Sequence, residues 1–484
     1  MIGRGPILAL LLALAWGMTQ AATPPAKPSL DPRSLSYPPL EINFPKPETV
    51  QLDNGLIVYL FVDRELPLID LFFYMKAGTI YDPEQKAGLS SVAMASLRTG
   101  GTRHMTPDEI DETLEFMPAR VRFSTGDDMA SGSLSAHSDR FPEALKIFSA
   151  MLITPRFDPD RLDLAKARMI EGIRRRWDDP GDVAEIHFRS LVYGTESPWA
   201  RLETEETLSS IEREDLVAFH RRYVRPNNMV MGIAGDFDRT AMKEMLRETF
   251  DAWRHAKVTP PRIPSLKATA WPGVHVIDRP LKQTSIAIGH LGANRFDDDK
   301  FPLKILSYIL GEGGFSSRLM KEIRSTRGLA YSVGGGVGVD SDRGLFQITS
   351  STRAGATVEV IEVVREIIDQ LRKEGPTEDE VRRAKEASIN SFVFSLEGTA
   401  QYMRSYLYYE AYNYPRDFLR TYRDRLAKVT RKKVLRAARK HIHPDRLVIL
   451  TVGDPESFDR PLSTLGLGDP RTIAVSDGSG GAGR

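Results

Sequence analysis

The stretch RRYVRPNNMVMGIAGD at residues 221–236 recurs without a gap as RKHIHPDRLVILTVGD at residues 439–454. In each copy a proline, Pro226 or Pro444, stands nine residues before the glycine of a Gly-Asp pair. An apolar run between a proline turn and a glycine turn predicts a buried strand. A spacing of about 215 residues is too long for a solenoid repeat, so the recurrence indicates a duplicated domain.

Two further matches support the duplication. RLDLAKARMIEGI at residues 161–173 and EVRRAKEASINSF at residues 380–392 share an Ala-Lys pair in one helical register. Residues 68–101 and 283–314 both read as a strand, an acidic loop and a helix that ends at two glycines. Strands come before helices in each half. The predicted fold class is therefore α+β, with two homologous domains that are each a mostly antiparallel sheet with helices packed on one face.

The ends of the chain and its proline-rich segments predict the domain boundaries. Arg4, an apolar run from Ile7 to Trp16 and small residues up to Ala22 are typical of a secretory signal peptide. We expect a signal peptide at 1–22, an extended lead-in at 23–48, an N-terminal domain at 49–256, a linker at 257–273, a C-terminal domain at 274–458 and a flexible tail at 459–484.

Composition limits the classes of partner and the cellular compartment. With 66 Lys and Arg against 65 Asp and Glu, the net charge of +1 gives no electrostatic basis for binding nucleic acid. The chain has no cysteine, so it needs no disulfides in an oxidising compartment. We expect a periplasmic or secreted protein with no membrane span after signal cleavage, because no later apolar run is long enough.

Several motifs occur in one order along the chain: AGLSSVAMASLRTGGT (87–102), WDDPGDVAEIHFRSLVYG (177–194), the first copy of the repeat, and GGFSSRLMKEIRSTRGLAYSV (313–333). In this order, over about residues 45–458, the chain resembles the insulinase/pitrilysin-type zinc peptidase family, whose signature is an inverted H-x-x-E-H motif. In that motif two histidines four apart bind zinc and the glutamate is a general base. The matching positions here are Ser91, Val92, Ala93, Met94 and Ala95. The resemblance therefore implies a non-catalytic member without the zinc motif.

No other metal site is expected in this chain. The family's third ligand falls on Glu171 or Gly172, and one carboxylate on a helix does not hold zinc; a surface or helix-pairing role is the alternative. None of the nine histidines has a second histidine four residues away, and the pair His441 and His443 is typical of a basic turn. Without cysteine a thiolate site is impossible.

The motif of the second half is complete. Arg324 and Tyr331 stand seven residues apart across a helix end and Gly328. The resemblance implies that they bind the substrate backbone near the scissile carbonyl, as guanidinium and phenol donors can. In the alternative interpretation, Arg324 pairs with a carboxylate and Tyr331 is a half-buried strand residue. The preceding GEGGFSS (311–317) is predicted to be a flexible loop, which either contacts substrate or only joins helices.

The first half lacks the zinc motif, whereas the second half keeps the Arg324/Tyr331 motif. This contrast predicts a subunit that is inactive alone. We expect a zinc-less subunit of a periplasmic two-chain peptidase that binds no cofactor itself. It would supply Arg324 and Tyr331 to a homologous partner whose H-x-x-E-H motif holds zinc, with a peptide as substrate. A purely structural or peptide-holding protein of the same fold is the main alternative, and an independent hydrolase with an unrecognised site is the other.

Overall fold

The structure, a computed structural model, describes residues 46–264, 266, 268–339, 342 and 344–474. These residues belong to one compact unit. The predicted signal peptide lies outside the described residues, as does the lead-in up to residue 45. No helix among the described residues is long and apolar enough to cross a membrane.

The first half of the described chain contains six strands and eight helices. The strands are β1 (Glu48–Gln51), β2 (Ile57–Val62), β3 (Leu68–Met75), β4 (Ala119–Thr125), β5 (Ala130–His137) and β6 (Met229–Gly235). The helices are α1 (Leu89–Thr99), α2 (Pro107–Phe116), α3 (Phe141–Ile153), α4 (Pro159–Arg176), α5 (Pro180–Tyr193), α6 (Glu205–Ser209), α7 (Arg213–Tyr223) and α8 (Arg239–Phe250).

The second half of the described chain contains six strands and six α-helices. The strands are β7 (Gly273–Asp278), β8 (Gln283–Leu291), β9 (Ala330–Val337), β10 (Leu345–Arg353), β11 (Val448–Gly453) and β12 (Arg471–Thr472). The helices are α9 (Lys300–Ser307), α10 (Thr357–Lys373), α11 (Glu378–Phe394), α12 (Thr399–Ala411), α13 (Phe418–Ala427) and α14 (Arg431–His441).

The two halves form sheets of the same topology. Sheet 1 has the strand order β1-β2-β6-β3-β5-β4 and sheet 2 the order β12-β7-β11-β8-β10-β9. The repeated stretch forms β6 and β11: β6 runs parallel to β2 and antiparallel to β3, and β11 runs parallel to β7 and antiparallel to β8. Only the outermost strands, β1 and β12, break the correspondence. The predicted α+β fold with two homologous, mostly antiparallel sheets is confirmed.

Each sheet packs one face against helices of its own half, as predicted. In the first half, Phe73 of β3 meets Phe148 of α3 with ring centres 6.2 Å apart in a core that also holds α1. Local signals fix the helix ends: Thr106 and Glu109 form a capping box before α2, and Pro107 occupies its first position.

The opposite face of each sheet receives one helix from the other half. Helix α5 lays Val183 and Phe188 against sheet 2, and α12 lays Met403 and Leu407 against sheet 1. Gly232 on β6 makes the second contact possible, because a Cβ atom there would lie 2.5 Å from Sδ of Met403. The two halves therefore exchange helices, which the sequence did not predict.

Residues 459–474, the described part of the tail predicted at 459–484, pack onto the second half. Helix α10 has no side-chain cap of its own, and the carboxylate of Asp459 accepts the backbone N–H groups of Val358 and Glu359 at 2.8 and 3.1 Å. Leu462 and Leu465 are buried against the same core, and β12 pairs with β7. Capping and apolar burial thus hold this segment in place.

Candidate functional site

Helix α1 carries the positions where the resemblance expects the zinc motif. It begins after Gly88, whose φ of +94° is a left-handed conformation that favours glycine. Ser91 and Ala95 lie one turn apart on one partly exposed face, and the three positions between them are buried. Met94, at the position of the glutamate, is 1% exposed within the core of sheet 1. The exposed face therefore offers a hydroxyl and a methyl group.

A buried carboxylate holds the start of this helix. Asp82 accepts hydrogen bonds from the backbone N–H groups of Gly88 and Ser90, both at 3.0 Å, and from Oγ of Ser90 at 3.1 Å. Burial raises the pKa of Asp82 to about 7, although these hydrogen bonds oppose the rise. All three partners belong to the start of α1, so Asp82 stabilises the helix and leaves no free oxygen directed at the Ser91 face.

The third ligand position does not complete a zinc site. Glu171 is exposed on α4, and its carboxylate pairs with Nε of Arg175 one turn later at 2.9 Å. Gly172 faces open space, because no atom lies within 4 Å of the point that a Cβ atom would occupy there. Zinc requires three or four nitrogen, sulfur or carboxylate ligands. The residues at the family's ligand positions in this chain therefore do not fit zinc.

Among the described residues, one group brings together three potential metal ligands: Asp297, Asp299 and His441. Cations already occupy it, since Nζ of Lys440 lies 2.8 Å and Nη2 of Arg436 3.1 Å from the oxygens of Asp299. Burial alone would raise the pKa of Asp299, but its hydrogen bonds from Lys440, His441 and Arg436 lower it to about 2. The group is an ion cluster that joins α9 to α14.

The other histidine of the predicted basic turn, His443, is not a member of this ligand group. The backbone N–H of His443 donates to Nε2 of His290 at 2.9 Å, and Nδ1 of His290 bonds to the carbonyl of Leu291 at 2.8 Å. Burial lowers the pKa of His290 to about 4. His441 and His443 therefore do not share a ligand site.

Arg324 and Tyr331 are brought into direct contact. Arg324 lies in a π-helical turn, Met320–Thr326, and the chain reverses at Gly328, whose φ is +61°, before Tyr331 on β9. Cζ of Arg324 lies 4.4 Å from the ring centre of Tyr331 and 4.9 Å from that of Phe315. Such distances are those of cation–π stacking.

The two rings of this stack are exposed, and Arg324 between them is half-buried. Tyr331 is 80% exposed and Phe315 67% exposed. No carboxylate of the described chain forms a salt bridge with Arg324. The alternative interpretation from the sequence, an Arg324 paired with a carboxylate and a half-buried Tyr331, does not describe this geometry. The GEGGFSS segment supplies Phe315, and its residues 314–316 are wound into a short 3₁₀ turn rather than an open loop.

Arg324 and Tyr331 lie at a cavity of about 480 Å³ on the face of sheet 2 that α5 covers. One wall comes from the first half, where Glu185 of α5 accepts a hydrogen bond from Nε2 of Gln347. Most of the remaining lining comes from three strands, and it combines apolar residues such as Ile286 and Val333 with the hydroxyl-bearing residues Ser285, Ser332, Thr349, Ser350 and Ser351. Guanidinium, phenol and hydroxyl groups together suit a polar peptide backbone.

A second cavity, of about 640 Å³, occupies the corresponding place on sheet 1. Corresponding strands line it, and the exchanged helix α12 contributes Arg404. Ala95, at the position of the second motif histidine, lines this cavity and not the first. Within one chain, Ala95 on α1 and the Arg324/Tyr331 pair therefore line separate cavities.

Sequence reasoning missed Phe315 and Glu185 as parts of the site. Phe315 lies in a segment that the sequence did single out, so an aromatic side chain shortly before Arg324 was an available signal. Glu185 reaches sheet 2 only through the helix exchange, for which a single sequence holds no local signal.

Two family models match the chain: Insulinase (Peptidase family M16) matches residues 70–197, and the Peptidase M16 inactive domain matches residues 210–388. The chain belongs to the insulinase family, peptidase family M16. The first model includes the helix with Ser91 and Ala95, and the second includes Arg324 and Tyr331.

Named relatives agree with membership of the M16 family. An uncharacterized zinc protease of Mycobacterium leprae is 31% identical over 277 residues, which are 56% of this chain and 62% of that protein, less than two thirds of its length. The crystal structure of a peptidase M16 inactive domain from Pseudomonas fluorescens has a TM-score of 0.79 and 28% identity, over 86% of this chain and 100% of that one. A protease from Helicobacter pylori, with a TM-score of 0.75 and 18% identity over 85% and 100% of the two chains, supports the fold alone.

Proposed function

We propose that this M16 chain is the zinc-less subunit of a two-chain periplasmic peptidase and supplies Arg324 and Tyr331 to the active site of a partner chain. One contrast carries the proposal: the face of α1 has Ser91 and Ala95 where ligands belong, whereas an exposed Tyr331 and a half-buried Arg324 stand together at the cavity on sheet 2. The partner is a homologous subunit with an H-x-x-E-H motif, which holds the zinc.

Arg324 and Tyr331 act as hydrogen-bond donors in this proposal. The guanidinium offers several N–H groups in a fixed plane and the phenol offers one neutral donor. Donors aimed at a peptide carbonyl stabilise the negative charge that develops on its oxygen during hydrolysis. The Phe315 and Tyr331 rings on which Arg324 stacks restrict the guanidinium before substrate arrives, which lowers the entropic cost of binding.

A structural or peptide-holding protein of the same fold is the second candidate. The match of residues 210–388 to a family model described as an inactive domain favours it, as does a cavity at Arg324 whose lining residues form no metal ligand set. In that case the cavity holds a peptide and no bond is cleaved. The two functions differ in whether any assembly containing this chain hydrolyses peptides.

The test combines the purified chain with a homologous H-x-x-E-H chain from the same cell and measures zinc content and peptide cleavage. The pair is expected to cleave peptides with zinc only in the partner, and Arg324→Ala is expected to lower kcat/KM by about a hundredfold or more. Arg327→Ala is the matched control, because Arg327 lies in the same segment but is paired with Glu322 at 2.9 Å.

Three results separate the hypotheses. One zinc per chain in the lone protein, or cleavage by the lone protein, refutes the zinc-less subunit. An active pair in which Arg324→Ala and Arg327→Ala behave alike refutes the role of Arg324. Peptide binding without cleavage by any pair favours the structural alternative. Fractionation of cells expressing the full chain tests the periplasmic location.

A further inference from the structure

A third cavity lies at the far edge of sheet 1, away from both cavities described above. We propose that it binds a small phosphate monoester that carries a ring. We call it the tyrosine cavity; its volume is about 510 Å³, and its lining includes Lys46, Tyr59, Tyr402, Tyr406, Arg416 and Arg420. The proposal is independent of the proposed peptidase function.

The fold brings the wall of this cavity together from both halves. Register on the edge hairpin pairs Thr49 with Tyr59 and Gln51 with Ile57, so these four side chains share one face of β1 and β2. Helices α12 and α13 close the other side. A cavity of this size, built between elements of different halves, is within the range of small-molecule sites.

Tyrosine rings form the floor. Tyr59 and Tyr402 are 6% and 8% exposed, and Tyr406 meets Tyr59 edge to face with ring centres 5.0 Å apart. Burial is the largest cause that raises the pKa values of Tyr402 and Tyr406 to about 12, so both phenols are neutral at physiological pH. A floor of neutral phenol rings offers a ring-bearing ligand aromatic contact.

Cations form the rim. Lys46, Arg416 and Arg420 are exposed, and within the described part of the chain none of them forms an ion pair with a carboxylate. The acidic group nearest the floor, Glu410, is not part of the lining, and its Oε2 accepts a hydrogen bond from Tyr59 at 2.9 Å. A rim of three cations without a carboxylate partner in the described chain, and a lining without a carboxylate, favour an anionic ligand. The two guanidinium groups suit the oxygens of a phosphate dianion.

The experiment titrates the purified full chain with three probes by calorimetry: phenyl phosphate, inorganic phosphate and benzyl alcohol. Phenyl phosphate is expected to bind one per chain with a Kd at least tenfold below that of inorganic phosphate, and benzyl alcohol is expected not to bind. Equal affinity for phenyl phosphate and inorganic phosphate overturns the proposal, as does binding of benzyl alcohol as tight as that of phenyl phosphate.

Variants locate the binding. Arg416→Glu and Arg420→Glu are each expected to raise the Kd for phenyl phosphate at least tenfold. The control Arg103→Glu makes the same charge change at an exposed residue outside the cavity and is expected to leave the Kd within twofold. If a charge-reversed variant fails to fold, Arg416→Gln and Arg420→Gln replace it, with an expected rise of at least threefold.

A separate variant tests the role of the ring floor. Tyr402→Leu is expected to abolish the preference for phenyl phosphate over inorganic phosphate while leaving the weaker affinity for inorganic phosphate within twofold. A preference that survives in Tyr402→Leu, or variants at Arg416 that behave like Arg103→Glu, overturns the proposal.

Discussion

Replacing Arg295 with methionine is expected to weaken the contact between the two halves. The guanidinium is buried between them, with Nη2 2.9 Å from Oδ2 of Asp128 and Nε 2.6 Å from Oδ1 of Asp342. Its Cζ lies 3.6 Å from the ring centre of Tyr412 on the second half. The hydroxyl of Tyr412 in turn donates to Oδ1 of Asp128 at 2.6 Å, so one arginine unites three partners.

The size of the effect follows from burial. The side chain of Arg295 is 2% exposed and that of Asp128 16% exposed, whereas that of Asp342 is 53% exposed and regains water when the arginine is lost. Removing one member of a buried ion pair costs about 3–5 kcal/mol, because the other charge stays buried alone. Methionine keeps most of the apolar volume and avoids a large cavity. We expect Arg295→Met to lower the free energy of unfolding by about 3–4 kcal/mol.

Urea unfolding of a double-mutant cycle checks this value. The double variant Arg295→Met/Asp128→Asn leaves no unpaired buried charge at Asp128. Its loss in the free energy of unfolding is therefore expected to be at least about 1 kcal/mol smaller than the sum of the losses in the two single variants. Asp127→Asn is the matched control: its pair with Arg189 at 3.2 Å is 47% and 31% exposed, and such pairs contribute less than about 1 kcal/mol. A loss below about 1 kcal/mol in Arg295→Met, or additive single effects, would refute the reasoning.

Three further predictions concern single residues. The pKa of Asp299 is lowered to about 2, so its carboxylate stabilises the fold above pH 4 and loses this effect as the pH falls towards 2. In urea unfolding, Asp299→Asn should lower the free energy of unfolding by about 2 kcal/mol at pH 7 and should reduce its fall between pH 4 and pH 2. Burial raises the pKa of Asp82 to about 7, so stability should fall by up to about 4 kcal/mol as the pH rises from 4 to 7, and Asp82→Asn should remove that slope. Gly232→Val should lower the free energy of unfolding by about 1–3 kcal/mol and speed hydrogen exchange in α12, because the new Cβ would collide with Met403. In the control Gly172→Ala the space is open, so the melting temperature should not fall.

The sequence predicted the fold well because the signals that define each strand and helix lie close together in the chain and recur in both halves. The strands β6 and β11 follow directly from a proline turn, an apolar run and a Gly-Asp pair, and both lie centrally in their sheets. The capping box of Thr106 and Glu109 and the proline at the first position of α2 likewise act through neighbouring residues. Signals that act within ten residues of the chain are thus enough to fix element type and order.

The parts that the sequence did not predict depend on long-range contacts. Asp459 caps a helix that starts about a hundred residues earlier, and no residue near Asp459 indicates that partner. Glycine-rich and polar composition suggested a flexible tail, but Leu462 and Leu465 are buried in the core of the second half. Composition describes a segment in isolation, and here tertiary contacts decide its state.

The candidate site was also predicted only in part from the sequence. The absence of a zinc motif and the spacing of Arg324 and Tyr331 were readable from the sequence, since both are matters of residue type at fixed intervals. The structure adds the stack of Arg324 between Phe315 and Tyr331, and a cavity wall from α5. These depend on how a turn at Gly328 folds back and on which sheet α5 covers.

The helix exchange explains why a half without a metal site would persist. Helix α5 of that half covers the outer face of sheet 2, with Val183 and Phe188 in the apolar contact and Glu185 in the wall of the cavity at Arg324. Losing the first half would therefore expose apolar surface on sheet 2 and open the cavity on one side. Because α12 covers sheet 1 in return, each half supplies a wall to the other's cavity. The chemistry of the ligand positions on α1 can change without this dependence being lost, since Ser91 and Ala95 lie on a partly exposed face of that helix and are not among the apolar residues that pack against α12.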